Sequence, residues 1–215
     1  MATAMDYKKE YKDLYLPKTK PMIVNVPEMC FVAVEGKGDP NDKDGEYQKA
    51  IGILYGVQFT IKMSKMGNNK LDGYFDYVVP PLESFWWVDD NEWSFLKDKS
   101  KYNWISVIRL PEFVNKEIFK WACDEAAKKK KIETKIAKYI KIKEGLCVQC
   151  MHIGSYNEEP KTIKKIDEFI KENNLKNDVN EKRRHHEIYL SDPRRTEITK
   201  LRTVIRIPVN GRNRI

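Results

Sequence analysis

The chain has 215 residues, 41% of them hydrophobic and 33% charged, the balance of a globular protein with a sizeable core and a heavily solvated surface. The formal net charge is +8, but 40 bases stand against 32 acids and the excess is spread out, which argues against both a concentrated nucleic-acid patch and an acidic DNA mimic. No charged segment followed by an apolar one opens the chain, and no apolar run approaches a membrane span, so a cytoplasmic protein with reduced cysteines is expected. Residues 1–27 read as an arm: a short helical start, DYKKEYKDLY, then Pro17, Pro21 and Pro27. MCFVAVEGKG (29–38) reads as a strand ending in a glycine turn. In YQKAIGILYGVQFTIKM (47–63), Ala50, Ile51, Leu54, Tyr55 and Phe59 fall at roughly helical spacing. LDGYFDYVVPP (71–81) and KYNWISVIRLPEF (101–113) read as strands.

VNKEIFKWACDEAAKKKK (114–131) reads as a linking helix whose terminal lysines favour its dipole. The order then recurs: a strand in GLCVQCMHIG (145–154), and a helix over 158–173 with Ile163, Ile166 and Ile170 on one side and Pro160 in its first turn. Strands follow in HHEIYLSDP (185–193) and KLRTVIRIPV (200–209). The pattern predicts a single α+β domain over 1–215: repeat one at about 28–113, the linking helix at about 114–131 and repeat two at about 145–209. Two strand–helix–strand–strand units would join in a pseudo-twofold antiparallel sheet, with helices on one face and a ligand pocket on the other. Cys147 and Cys150 are spaced CxxC, but in an alternating strand with no second CxxC, which makes them small core residues.

The candidate site starts from Glu187 and Tyr189, a carboxylate and a phenol in an otherwise apolar strand. Alternation puts Glu187, Tyr189 and Ser191 on one side and His186, Ile188 and Leu190 on the other. The apolar set suits the helix-covered side, so the acid is expected on the open face. A carboxylate among aromatic rings can act as a general base or neutralise a bound cation. The alternative is an ion pair with Arg183, Arg184 or Arg206. Glu158 and Glu159 follow Tyr156 at a helix start, where acids also cap the dipole. Adjacent strand histidines point apart, so His185 and His186 cannot chelate one metal from the same face. The glycines of VEGKGDP lack the spacing of a phosphate loop, and no Ser-His-Asp, Cys-His or helix-turn-helix pattern is readable.

Long strings along nearly the whole chain carry a resemblance: DYKKEYKDLY, PKTKP, VPEMCFVAVEGKGDPN, AIGILY, GYFDYVVPPLESFWW, IRLPEFVNKEIFKWA, EGLCVQCMHIGSYNEEPKTI, HHEIYLSDPRR and KLRTVIRIPV. The chain resembles the stand-alone GyrI-like small-molecule-binding domain proteins of bacteria, relatives of the effector-binding domain of MerR-type multidrug regulators. The resemblance implies a pocket for flat, lipophilic aromatic molecules with a key glutamate, falling on Glu187. It also implies detoxifying hydrolysis of cyclopropane-bearing genotoxins related to yatakemycin and CC-1065, without metal or organic cofactor. Glu187, Glu158 and Tyr189 would then be catalytic, and Trp87, Tyr55, Tyr74, Met151 and Tyr156 would line the pocket. A non-catalytic sensor or drug-sequestering protein would use the same features. Neither nucleic acid nor membrane is implied as a partner, and a homo-oligomer is left open. A gyrase-directed interaction, suggested by the family name, sits poorly with the basic balance. Two residues depart from the family's pattern, Ser84 where glycine is usual and Ser155 where proline is common; both are expected at turns.

Overall fold

The computed structural model describes residues 4–67, 71–89 and 98–211. Two short helices, α1 (Tyr7–Glu10) and α2 (Lys12–Tyr15), lead into β1 (Met22–Lys37). The first half continues with α3 (Glu46–Met63), β2 (Leu82–Trp87) and β3 (Asn103–Arg109). After α4 (Lys116–Lys130) come β4 (Lys138–Ile153), α5 (Glu159–Glu172), a three-residue β5 (Leu175–Asn177), β6 (His185–Tyr189) and β7 (Arg202–Gly211). Strand, helix, strand, strand therefore occurs twice, with β5 added in the second half.

All the paired strands run antiparallel, in the order β4-β1-β3-β2-β6-β7, and β7 pairs back to β4. The sheet curls into a barrel, and closure leaves these strands fewer open edges to protect. Equivalent strands of the two halves meet: β1 with β4, and β2 with β6. The strand expected over 71–81 is absent as such; only Tyr77 bridges, to Met5. Pro80 and Pro81 have no amide hydrogen to donate to a ladder, and the strand begins at Leu82, just beyond them. Ser84 accordingly lies inside a strand and not at a turn.

Each long helix buries one stripe. On α3 the stripe is Ala50, Ile53, Leu54, Val57 and Ile61. Tyr55 is half-buried and Phe59 is exposed, so the apolar side is rotated from the spacing read in the sequence. α4 is capped by Asn115, whose side chain accepts from the Ile118 amide at 2.8 Å, and ends where Lys131 turns left-handed at φ 55°. On α5, Ile166 and Ile170 pack against Val148, Cys150, Ile205, Ile207 and Val209 of β4 and β7, each such buried side chain contributing roughly 1.5–3 kcal/mol. The four cysteines are unpaired, and Cys147 and Cys150 are buried in β4.

The register decides which side chains share a face. Across β2 and β6, Ser84 stands opposite Glu187 and Trp86 opposite His185, while Phe85 faces His186 and Glu83 faces Ile188. Across β6 and β7, Glu187 stands opposite Ile205, one of the residues under α5. Tyr47 of α3 bonds the Ser84 hydroxyl at 2.9 Å. Glu187 therefore lies on the side bearing α3 and α5, not on the side away from them, and His186 and Ile188 face away from α3 and α5. The opposite side is not open at β6. It holds a fully buried ionic cluster, in which Glu144 bridges Arg206 at 2.7 Å and His186 at 3.0 Å, and His186 also meets Glu83 at 3.0 Å. The arm seals that cluster: Arg206 donates to the Leu14 carbonyl at 2.7 Å and Tyr15 to Glu83 at 3.3 Å. No helix among the described residues is long and apolar enough to cross a membrane.

Candidate functional site

Glu187 occupies the centre of β6, and both its oxygens are engaged. His185, two residues earlier on the same side of the strand, meets Oε1 through Nε2 at 2.9 Å. Tyr189, two residues later, donates its hydroxyl to Oε2 at 2.8 Å. The Tyr189 oxygen in turn accepts from Trp86 Nε1 at 3.0 Å. None of the arginines considered as partners pairs with Glu187. Arg206 belongs to the cluster on the opposite side, Arg183 pairs with Asp178, and Arg184 lies 4.6 Å over the Trp87 ring.

The second acid comes from α5, and it is Glu159. Its side chain is 3% exposed and it hydrogen-bonds with Glu187. Glu158 points outward, pairing with Lys161 on an exposed surface. The two buried carboxyls are driven apart in acidity. Burial, the charge of Glu187 and the hydrogen bond to it push Glu159 well above the usual carboxyl range. Burial would raise Glu187 too, but the hydrogen bond and charge of His185, the Tyr189 hydroxyl and the Glu159 carboxyl outweigh it and hold Glu187 low. The environment thus favours the ionised form of Glu187 and the protonated form of Glu159. Glu159 Oε1 is buried and has no hydrogen-bond partner among the described residues.

Aromatic rings surround the pair. Tyr156 meets Tyr189 edge-on at 5.9 Å. Tyr47 stacks on Trp86 at 5.3 Å and meets Trp104 edge-on at 5.2 Å. Trp104 packs directly over Gly36, where a Cβ would come within 2.5 Å of the indole. Burial pushes the Tyr47 phenol up to about 12, and Tyr189 is raised well above its ordinary value by burial and the charge of Glu187. A chain of hydroxyls, Tyr47 to Ser84 at 2.9 Å and Ser84 to Ser106 at 3.0 Å, runs beneath the acid.

The structure brings Glu187, Tyr189 and Tyr156 together and places Trp87, Met151 and Tyr74 elsewhere. Trp87 alternates to the side opposite Trp86, so Trp86 is the tryptophan beside the acid. Met151 pairs across the sheet with Val204, which stands opposite Ile188, so it faces away from Glu187. Tyr74 bonds the Lys62 carbonyl at 2.8 Å, fifteen residues and roughly 22 Å along α3 from Tyr47. Tyr55 stacks on Phe59 at 6.1 Å and lies near Asp192 and Arg194. Tyr47, Ser84, Trp86 and His185 are the site residues that the sequence reading did not single out; Glu159 it named beside Glu158 as a candidate second acid. Only His185 had a readable signal, since it shares the parity of Glu187 on a strand.

A model of the GyrI-like small molecule binding domain matches residues 19–210. The chain belongs to the GyrI-like family. This GyrI-like chain is 47% identical to a protein from Listeria innocua whose crystal structure is described as that of a hydrolase; the match covers 96% of this chain and 100% of that one, with a TM-score of 0.87. A structure of an uncharacterized conserved protein from Listeria innocua matches at 47% identity over 96% and 100% of the two chains, with a TM-score of 0.90. The regulator EcmrR, seen in a complex with DNA, shares the fold at 10% identity and a TM-score of 0.54, over 96% of this chain and 63% of that one. No curated protein matches the sequence.

Proposed function

We propose that this GyrI-like protein binds flat, lipophilic aromatic molecules beside Glu187 and adds water across a strained cyclopropane ring conjugated to a carbonyl, as in genotoxins of the yatakemycin and CC-1065 type. The observation that carries the reading is a buried carboxylate, Glu187, held by His185 and Tyr189, with a second buried carboxyl, Glu159, on α5 and the rings of Tyr47, Trp86, Tyr156 and Tyr189 around it. The hydrolase description of the 47% identical Listeria protein supports it.

The chemistry balances on these residues alone. Glu187 takes a proton from a water whose oxygen bonds to the ring methylene. The cyclopropane carbon–carbon bond breaks, and its electron pair passes through the conjugated system to the carbonyl oxygen. That oxygen takes the proton of Glu159. Transfer from Glu187 back to Glu159 restores the starting state, for a net addition of one water. Relief of ring strain and formation of an aromatic phenol drive the step, and a base of this kind contributes about 10²–10⁴-fold.

The test is incubation with a cyclopropane-bearing indole alkaloid, read by mass. A product heavier by one water, with turnover reduced about 10²–10⁴-fold in Glu187→Gln and binding retained, is the expected result. Saturable quenching of tryptophan fluorescence with unchanged mass would make the protein a binder only.

A further inference from the structure

We propose that Trp86 and His185 are positioning residues for Glu187, Trp86 acting through the proton of Tyr189. The inference deepens the assignment of Glu187 as base, but it concerns the resting carboxylate and is tested without substrate.

The argument is one of donors and acceptors. An indole N–H can only donate. Trp86 Nε1 lies 3.0 Å from the Tyr189 oxygen, so that oxygen accepts. Tyr189 has a single proton, and its nearest acceptor is Glu187 Oε2 at 2.8 Å. Trp86 thereby fixes the direction of the next hydrogen bond. A phenol that accepts one bond donates the next more strongly, because successive hydrogen bonds polarise each other. His185 holds the other oxygen at 2.9 Å. With one donor on each oxygen, the carboxylate cannot rotate freely, and its remaining lone pairs keep fixed directions. The pairing of β2 with β6 builds this arrangement: Trp86 stands opposite His185, and Ser84 opposite Glu187. Tyr189 is then a support of the base, and its proton is already committed.

Among the described residues, the charged and titratable groups facing Glu187 are few. His185 and Tyr189 lie on its own strand, Glu159 and Tyr156 on and just before α5, and Tyr47 on α3, while the charge of Lys99 reaches Glu159. Trp86 is uncharged, so an effect of Trp86 on the titration of Glu187 cannot be a direct charge effect.

The experiment is a carboxyl NMR titration of ligand-free protein with carbon-labelled glutamate, Glu187 being assigned by its loss in Glu187→Gln. Trp86→Phe should raise the Glu187 midpoint by about half a pH unit, the size of a modest hydrogen-bond loss. The same change in a Tyr189→Phe background should do nothing, since the relay is already broken. His185→Gln should raise the midpoint in either background. An unchanged midpoint in Trp86→Phe, or an equal shift in both backgrounds, overturns the relay; an unchanged midpoint in His185→Gln removes His185. In the unsubstituted protein the Trp86 indole proton should exchange slowly with solvent and show a proton–proton contact to the Tyr189 hydroxyl. Free exchange of that proton overturns the relay whether or not the variants fold. None of these readouts depends on turnover, so hydrolysis can fail while the relay stands, and the reverse.

Discussion

Glu159 of α5 and Glu187 of β6 interact with each other: burial and the charge of Glu187 favour the protonated form of Glu159, while the donors on Glu187 outweigh its burial and favour the ionised form. The pair has opposite consequences for stability on the two sides of neutrality. Glu159 has a folded-state value raised above its unfolded one. Its contribution is therefore complete below about 4.5 and lost as pH rises through the raised value. Glu187 is lowered, so its contribution is present above about 4.5 and lost as pH falls through the folded value. Glu159→Gln should flatten the alkaline decline in urea midpoint. Glu158→Gln, on the exposed surface with Lys161, should leave the alkaline limb superimposable on that of the native protein. A response in the second variant and none in the first would exchange the two assignments.

The cluster on the other side of β6 gives a separate acid transition. Burial pushes Glu144 up, but the charges of His186 and Arg206 and their hydrogen bonds outweigh it and hold the carboxyl at about 2. Against an unfolded value of 4.5, this contributes about 3 kcal/mol above pH 4.5, which disappears as pH falls toward 2. Glu144→Gln leaves Arg206 buried without its carboxylate and should cost about 3–5 kcal/mol at pH 7 in denaturant titrations. It should also remove most of the acid transition between those two values.

Met151 separates packing from binding. It is 4% exposed and belongs to the same core cluster as Ile188 and Val204, facing away from Glu187. Met151→Ala should destabilise the fold by about 2–5 kcal/mol while leaving the affinity for an aromatic ligand within twofold of native. A large loss of affinity in folded Met151→Ala protein would put the binding surface on the other side of the sheet.

The element order was legible because each helix repeats its apolar residues and each strand alternates. Ile166 and Ile170 of α5 pack as their spacing indicates. Facing was not legible. Glu187 was expected on the helix-free side because His186 and Ile188 look like the more apolar set. The chain instead buries His186 by pairing it with Glu144 and Glu83, a compensation contributed by residues 42 and 103 positions away. Trp86 and Trp87 could be told apart only by the β2–β6 register, and neighbouring positions on a strand always point to opposite sides. Glu158 and Glu159 are likewise adjacent at a helix start, where both satisfy the dipole, and only the packing of α5 decides which one turns inward.

The five residues of β6 serve two unlike environments in alternation, an acid with its donors on one side and a sealed ionic cluster on the other. Sliding the strand by one position would empty both at once, turning Glu187 into the space shaped for His186 and leaving Arg206 facing the wrong neighbour. A single inserted or deleted residue here should therefore be far less tolerated than one in the segments joining β6 to its neighbours, so length variation among descendants of this sequence should collect on either side of His185–Tyr189 and spare the strand itself.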